Sequence, residues 1–289
     1  MVSFSQNIGQ VTPNSNYPHD LKNDILDQSI QKNVYFGFES RSADVLIAGT
    51  HNIVVPKLAV PFLRVRSISC GGMHSLALTT SGEVWQWGEP WGDFSMEINR
   101  SPKRLRISDV ESVASGAFHN LALTSTGNVY GWGTNDFGQL GTGDTAYAVE
   151  PRLTVGLEDI DIADIAAGGW HSLGLSSTGV VYTWGRGEYG RLGLNDPKGT
   201  ARMRPCKVPG LSQHVVVQAA CGGSHTMVLT AKGAIFSWGR HSCGRLGTEC
   251  EKTVEAPVEV HLPGSSDRWQ PICVAIGGRC GVQCFCFQN

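Results

Sequence analysis

The segment GGWHSLGLSSTGVVYTWG, residues 168–185, decides the fold, because the chain carries it in four copies. The other three copies are residues 71–88, 115–133 and 222–239. In every copy a tryptophan follows a histidine after thirteen positions, without insertion, and the pairs are His74 and Trp87, His119 and Trp132, His171 and Trp184, and His225 and Trp238. This strict register indicates one structural unit repeated along the chain.

Between each histidine and tryptophan lie two short runs of alternating apolar and polar residues, which predict two β-strands. An X-Gly pair separates the runs, and glycine supplies the positive φ that a two-residue hairpin turn needs. We therefore expect antiparallel hairpins with tips at Ser81-Gly82, Thr126-Gly127, Thr178-Gly179 and Lys232-Gly233.

A Gly-X-Leu-Gly loop follows the last three hairpins, six residues after the tryptophan, at 138–141, 190–193 and 244–247. Pro151, Pro205 and Pro257 come next, before a further apolar strand that leads to the next Gly-Gly. The unit is therefore about fifty residues with three or four strands. So small a sheet exposes two apolar faces, and it must stack against its neighbours to be stable.

The Gly-Gly-X-His-Ser, Trp-Gly and Gly-Gln-Leu-Gly signatures resemble the repeats of the regulator of chromosome condensation family, over residues 34 to 280. The resemblance implies an all-β fold, a β-propeller of seven blades. This chain holds only four complete repeats plus partial ones, so we expect an incomplete, open ring. The alternative is a small ring that closes when the N-terminal strand pairs with the C-terminal one.

We predict a poorly ordered segment over residues 1–33 and a propeller-like repeat domain over 34–289. Residues 34–37 resemble the second half of a hairpin. At the other end, 273–289 is a degenerate partial repeat in which Cys280 stands at the histidine position. The first repeat lacks the Leu-Gly loop after Trp87.

Composition excludes several classes of protein. A net charge of −2 gives no global field for nucleic acid or anionic membranes, so we expect neither as a partner. The nine cysteines are scattered and odd in number, which argues against a secreted disulfide scaffold and for the cytoplasm or nucleus. No stretch of about 20 apolar residues that could cross a membrane is present.

Four arginines are the candidate partner-binding residues. Two directly follow Trp-Gly and two fill the X of Gly-X-Leu-Gly, and residues at one repeat position lie at the same end of adjacent blades. Their guanidinium groups are expected to line one rim, where they would bind carboxylate or phosphate groups. The alternative is a solvated face paired with Glu188 and Asp196. The four are Arg186, Arg191, Arg240 and Arg245.

No catalytic or metal site emerges from the sequence, and no cofactor is expected. The repeat histidines belong to different units, so they and the repeat tryptophans are interpreted as structural. Asp136-Phe-Gly138 spells a kinase triplet, but no other kinase motif accompanies it. Zinc knuckles are not formed by the spacing of Cys273, Cys280, Cys284 and Cys286.

These features favour a non-enzymatic scaffold that binds another protein, such as a small GTPase or a chromatin-associated protein. The resemblance implies two alternatives. One is guanine nucleotide exchange on a small GTPase. The other is ultraviolet-B reception, which a Gly-Trp-Arg-His motif carries in the plant branch of the family. No copy here has that motif, because Trp170 stands at its arginine position, directly before His171.

Overall fold

The computed structural model describes residues 46–47, 57–58, 63–88, 99–249, 252–261, 270–277 and 282–288. These residues form β-strands and three single-turn 3-10 helices, which confirms the predicted all-β class. The bounds are β1 (Leu46–Ile47), β2 (Lys57–Leu58), β3 (Val65–Cys70), β4 (His74–Thr79), β5 (Val84–Gly88), β6 (Asn99–Arg104), β7 (Val110–Ser115), β8 (His119–Thr124), β9 (Val129–Gly133), β10 (Ala148–Leu153), β11 (Ile162–Ala167), β12 (His171–Ser176), β13 (Val181–Gly185), η1 (Glu188–Gly190), β14 (Arg202–Lys207), η2 (Pro209–Leu211), β15 (Val216–Cys221), β16 (His225–Thr230), β17 (Ile235–Gly239), η3 (Ser242–Gly244), β18 (Val254–Glu259), β19 (Gln270–Gly277) and β20 (Val282–Gln288).

Consecutive strands make four four-stranded antiparallel sheets, which we number as blades one (β3–β6), two (β7–β10), three (β11–β14) and four (β15–β18). A two-stranded sheet of β19 and β20 follows, with β19 against β15 and β16. β1 and β2 pair with each other. The described residues are thus an incomplete propeller, as predicted. The expected ends at 1–33 and 34–37, and the loop at 89–98, lie outside the described residues.

The four hairpins lie where the sequence predicts them, but their turns are not two-residue turns. In blade three, Gly179 N donates to Ser176 O at 2.9 Å, and Ser176 N donates to Val180 O at 2.9 Å. Within this turn only the glycine has a positive φ, of 82°. The loop is therefore a three-residue turn that ends in a left-handed glycine, a geometry that also matches the twist of the strands.

Proline positions explain where each blade ends. Pro151, Pro205 and Pro257 lie inside β10, β14 and β18, the outer edge strands, at a register shift in each pairing. Proline has no N–H to donate, so edges and bulges tolerate it. The apolar strand expected after each proline is the first strand of the next blade.

The hydrophobic core consists of separate clusters at the boundaries between blades. In β8, Leu121 and Leu123 pack toward blade three, whereas Ala122 between them packs toward blade one. Side chains alternate along a strand, so a strand in mid-blade serves two boundaries. All six residues of the second strand are accordingly buried in every blade.

Candidate functional site

Because consecutive strands in a blade run in opposite directions, each blade has loops at two opposite ends. One end, which we call the upper face, carries the Gly-Gly-X loops and the loops that follow Trp-Gly. The other end, the lower face, carries the hairpin tips and the links between blades. All four candidate arginines lie in loops of the upper face.

The Gly-Gly-X loops of the upper face bond directly from blade to blade. Gly72 N donates to Ala117 O at 3.0 Å, Ala117 N to Gly168 O at 3.2 Å, and Gly169 N to Gly222 O at 3.0 Å. Glycine is required at 168, because a Cβ there would lie 2.5 Å from Gly222 O. These bonds make a continuous backbone platform beneath the candidate residues.

The repeat histidines lie buried beneath this platform, and three of them reach the next blade. His171 Nε2 lies 2.9 Å from Thr226 Oγ1, which itself donates to Arg191 O at 2.9 Å. The hydroxyl can then only accept from the imidazole, which fixes the neutral tautomer with hydrogen on Nε2. His119 and Ser172 repeat the contact one blade earlier at 2.8 Å.

His74 bonds Asn120 Oδ1 at 2.7 Å, whereas His225 has no partner on either ring nitrogen within the described residues. The reason is visible in the sequence. The position held by Ser172 or Thr226 in the earlier repeats is Gly281 in the degenerate one, and glycine has no side-chain acceptor.

Burial keeps these imidazoles neutral. It lowers the pKa of His119 to about 3 and that of His225 to about 4. The pKa of His171 lies well below its usual range, and that of His74 is lowered as well. His74, His119 and His171 act as hydrogen-bonding links between blades, and in the described part of the chain no metal-ligand cluster surrounds the four histidines.

The repeat tryptophans join the same boundaries. Trp184 Nε1 donates to Gln139 O and Trp238 Nε1 to Arg191 O, both at 2.9 Å. Trp132 Nε1 donates to Gln86 Oε1 at 2.7 Å. The indole rings are 1% exposed or less. Each tryptophan thus fastens its blade to the preceding one.

Arg186 and Arg240 each lie over an aromatic ring of the preceding blade. The guanidinium carbon of Arg186 is 4.5 Å from the Phe137 ring centroid, and that of Arg240 is 4.8 Å from the Tyr189 centroid. Phe137 and Tyr189 both stand directly before the first glycine of Gly-X-Leu-Gly. The same cation–π contact therefore recurs at two successive blade boundaries.

The other two candidate arginines fold back into the loops. Arg191 is 2% exposed; its Nε donates to Glu188 O at 2.8 Å and its Nη1 to Gly223 O at 3.2 Å. Burial, and then the charge of Arg186, lower its pKa to about 10. Arg245 Nε likewise donates to Ser242 O at 2.6 Å. The upper face therefore presents two stacked guanidiniums with Arg191 beneath them.

Of the two carboxylates expected as partners, Glu188 pairs with a candidate arginine and Asp196 does not. Arg186 pairs with Glu188 at 2.5 Å, with side chains 27% and 47% exposed. Asp196, the other expected carboxylate partner, pairs instead with Arg202 at 3.0 Å. A surface pair of this kind is worth at most about 1 kcal/mol, so Glu188 is readily exchanged for another anion.

Aromatic residues that the sequence did not single out complete the surface. Trp170 lies 5.1 Å from Phe118 and 5.6 Å from Phe137 between ring centroids, and all three are partly exposed. Tyr189 is 44% exposed and has a φ of 60°, a strained value for a non-glycine residue. We call the surface formed by Phe118, Phe137, Trp170, Arg186, Tyr189 and Arg240 the aromatic–arginine face.

Within the described residues, no group of three or more His, Cys, Asp or Glu side chains could hold a metal ion. Cys280 lies outside these residues, while Cys273 and Cys286 face each other in the β19–β20 pairing. No helix in the described part of the chain is both long enough and apolar enough to cross a bilayer.

Comparison with known proteins identifies the family. A model of the RCC1-like domain matches residues 34–282. The chain belongs to the RCC1-like domain family. Human HERC3, a probable E3 ubiquitin-protein ligase, is 39% identical to it over 205 residues, 70% of this chain and 15% of HERC3. The Arabidopsis thaliana ultraviolet-B receptor UVR8 is 31% identical over 194 residues, 64% of this chain and 43% of UVR8.

Among solved structures, Prp20p from Saccharomyces cerevisiae superposes with a TM-score of 0.68 at 25% identity, over 77% of this chain and 56% of Prp20p. That structure was described together with the binding of Prp20p to Gsp1p and histones. This RCC1-like chain spans less than half the length of HERC3 and of UVR8.

Proposed function

We propose that this chain is a non-enzymatic protein-binding module and that the aromatic–arginine face receives its partner. The observation that carries the proposal is the pair of stacked arginines, Arg186 on Phe137 and Arg240 on Tyr189, beside the half-buried Trp170. Tryptophan, tyrosine and arginine are the residue types enriched at the energetic centres of protein interfaces. The loop-to-loop platform beneath them keeps them in place before the partner binds.

The charges of this face favour an acidic contact on the partner. Arg191 and Arg240 lie over Tyr189, and Arg186 pairs with the carboxylate of the neighbouring Glu188. Stacking on an aromatic ring leaves the edge of a guanidinium free to bind two oxygens at once. Carboxylate or phosphate groups of the partner would therefore replace Glu188 on Arg186 and bind Arg240 directly.

We expect the double variant Arg186→Glu, Arg240→Glu to lose capture of the partner by about tenfold or more while remaining folded. Affinity pull-down at low and moderate salt, after circular dichroism establishes the fold, measures the effect. The matched control is Arg204→Glu, Lys207→Glu, which reverses two exposed charges on the outer strand of blade three. Equal capture by both double variants and the parent would refute a role for the face.

Nucleotide exchange on a small GTPase is the second candidate function, favoured by the structural similarity to Prp20p. Exchange needs a surface that opens a nucleotide pocket and no covalent chemistry. Release of a fluorescent guanine nucleotide from a panel of purified small GTPases tests it, with purified histones as a separate binding probe for a chromatin-associated partner. Acceleration of release by the parent, but not by the arginine double variant, would assign both the function and its face.

Ultraviolet-B reception has weaker support, although UVR8 is a relative. Trp170 directly precedes its histidine, and its ring neighbours are Phe118 and Phe137 rather than further tryptophans. Size-exclusion chromatography before and after ultraviolet-B irradiation tests this function, and an irradiation-dependent change of oligomeric state would support it.

A further inference from the structure

The link between blades one and two differs from those that follow it. It runs over residues 105–109, whereas the links between the later blades run over 154–161 and 208–215. The longer links bury Leu157 or Leu211, and the short link buries Leu105. The short link ends at Asp109, whose φ of 58° is strained for a residue with a side chain.

A groove of about 700 Å³ lies beside the short link. Its walls are the link itself, the hairpin tip at 124–126, and the side chains of Tyr130 and Pro151. This volume lies within the range of ligand-binding clefts, which is about 300–1,000 Å³. The groove lies on the lower face, so it is separate from the aromatic–arginine face.

The groove carries two exposed guanidiniums and one carboxylate, that of Asp109, which accepts from Ser108 Oγ at 2.8 Å. Arg104 and Arg106 both line it, while Leu105 between them is 8% exposed. Arg104 forms an ion pair with Glu83 at 2.9 Å, and its side chain remains 55% exposed. Within the described chain Arg106 forms no ion pair. The guanidinium of Arg106 is therefore in no ion pair, and that of Arg104 is held only by one weak surface ion pair.

Hydroxyl groups complete the lining. Ser125, Thr126 and Tyr130 also line the groove, although the Thr126 hydroxyl already donates to Thr124 Oγ1 at 2.9 Å. A phosphate monoester offers three oxygens and about two negative charges, so it binds best where two guanidiniums and further donors converge. A carboxylate has two oxygens, which one arginine satisfies by itself.

We propose that this groove binds a phosphorylated serine or threonine within a segment of a protein partner. Arg104 and Arg106 bind the phosphate, and the hydroxyls of Ser125 and Tyr130 bind its remaining oxygens and the adjoining peptide. A lipid surface is a poor fit, because membrane-binding patches contain about four to eight basic residues and this groove has two. The net charge of −2 likewise disfavours nucleic acid.

The test uses the full chain and a blocked five-residue peptide with phosphoserine at its centre and small neutral flanking residues. Matched peptides carry serine or glutamate instead, and inorganic phosphate is a fourth probe. Titration followed by amide chemical shifts is expected to show saturable binding of the phosphopeptide, with shifts in residues 104–109 and 124–126. The serine peptide is expected not to bind, and the glutamate peptide to bind about tenfold more weakly.

Three variants define the contact. Arg104→Gln with Arg106→Gln is expected to weaken phosphopeptide binding by about tenfold or more, whereas Lys103→Gln, an exposed neighbour that does not line the groove, changes it less than about twofold. Glu83→Gln frees Arg104 and is expected to tighten binding by a few fold. All three sites are at the surface, and circular dichroism shows whether each variant is folded.

Three results would overturn the proposal. They are absence of saturable phosphopeptide binding, equal affinity for the serine peptide, and binding that the arginine double variant leaves unchanged. Inorganic phosphate that binds as tightly as the phosphopeptide would likewise refute recognition of a protein segment. The outcome is independent of the proposed function, since Arg186→Glu, Arg240→Glu leaves this groove intact.

Discussion

Lowering the pH from 7 to 5 is expected to remove about 3 kcal/mol of the free energy of unfolding, a large part of the roughly 5–15 kcal/mol that a domain possesses. The cause is the chain of buried neutral histidines that joins the blades. Burial lowers the pKa of His119 to about 3 and of His225 to about 4, and that of His171 lies well below 6.5.

The direction follows from proton uptake. In the unfolded chain a histidine binds a proton near pH 6.5, while in the folded protein His119 and His225 remain neutral to about pH 4. Their stabilising contribution is complete above pH 6.5 and is lost as the pH falls toward the folded pKa. Over two pH units His119 and His225 each contribute about 2 kcal/mol to this loss, and the lowered pKa of His171 adds to the loss in the same direction.

The contribution of Asp164 to the free energy of unfolding changes with pH in the opposite direction to that of the histidines. Burial raises its pKa to about 6, so the folded protein binds this proton before the unfolded chain does as the pH falls. Asp164 returns about 1 kcal/mol between pH 7 and 5, and His119 and His225 less this amount leave about 3 kcal/mol. The pKa of Asp144, lowered to about 2 chiefly by its hydrogen bond with Arg152, lies below this window.

Urea unfolding at a series of pH values measures the effect. The variant His119→Gln keeps a donor toward Ser172, and its slope of stability against pH is expected to fall by about 1.4 kcal/mol per unit near pH 5. Asp164→Asn is expected to steepen the slope by a similar amount. Stability that is flat between pH 7 and 5 in the parent would mean that the histidines are not held neutral.

Replacing any one of Trp132, Trp184 or Trp238 by alanine is expected to cost about 3–5 kcal/mol, as for other large aromatic truncations. Each indole is buried at a blade boundary and donates its N–H to the preceding blade. The truncation removes packed surface and leaves an acceptor without its donor. Chemical denaturation measures the loss.

Two controls separate these contributions. Trp184→Phe keeps most of the apolar surface but loses the donor to Gln139 O, so a smaller cost of about 1–3 kcal/mol is expected. Trp170→Ala, at a partly exposed ring of the upper face, is expected to cost about 1 kcal/mol or less. Losses below about 1 kcal/mol at all three buried tryptophans would contradict their role in joining blades.

The fold could be predicted from the sequence because the repeat encodes it twice, in the alternation of each strand and in the fixed distance from histidine to tryptophan. Hairpin positions followed directly from the X-Gly pairs. The type of turn did not, because a glycine with positive φ serves both two-residue and three-residue turns, and only the hydrogen bond from Gly179 to Ser176 distinguishes them.

The candidate site was predicted only in part. Repeat position places all four arginines at one end of the blades, but it does not reveal that Arg191 folds inward. The partners Phe137 and Tyr189 belong to the preceding blade, about fifty residues away in sequence, so their contacts depend on how blades are staggered. A usable signal existed, since an aromatic residue precedes the Gly-X-Leu-Gly loop in both copies that stack with arginine.

The groove beside the short link was missed altogether. Its signal is the spacing from each edge-strand proline to the next Gly-Gly, which varies between repeats because the links differ in length. The strain at Asp109, by contrast, depends on a backbone conformation that the residue type does not predict.

Site-specific photo-crosslinking tests the central claim, partner binding at the aromatic–arginine face, most directly. A benzophenone amino acid is placed at Tyr189, which is 44% exposed on that face, or at Val149, which is 56% exposed on the edge strand β10. The account predicts that a captured partner crosslinks to position 189 and not to position 149, and that Arg186→Glu, Arg240→Glu abolishes the crosslink. Crosslinking at position 149 alone would contradict it.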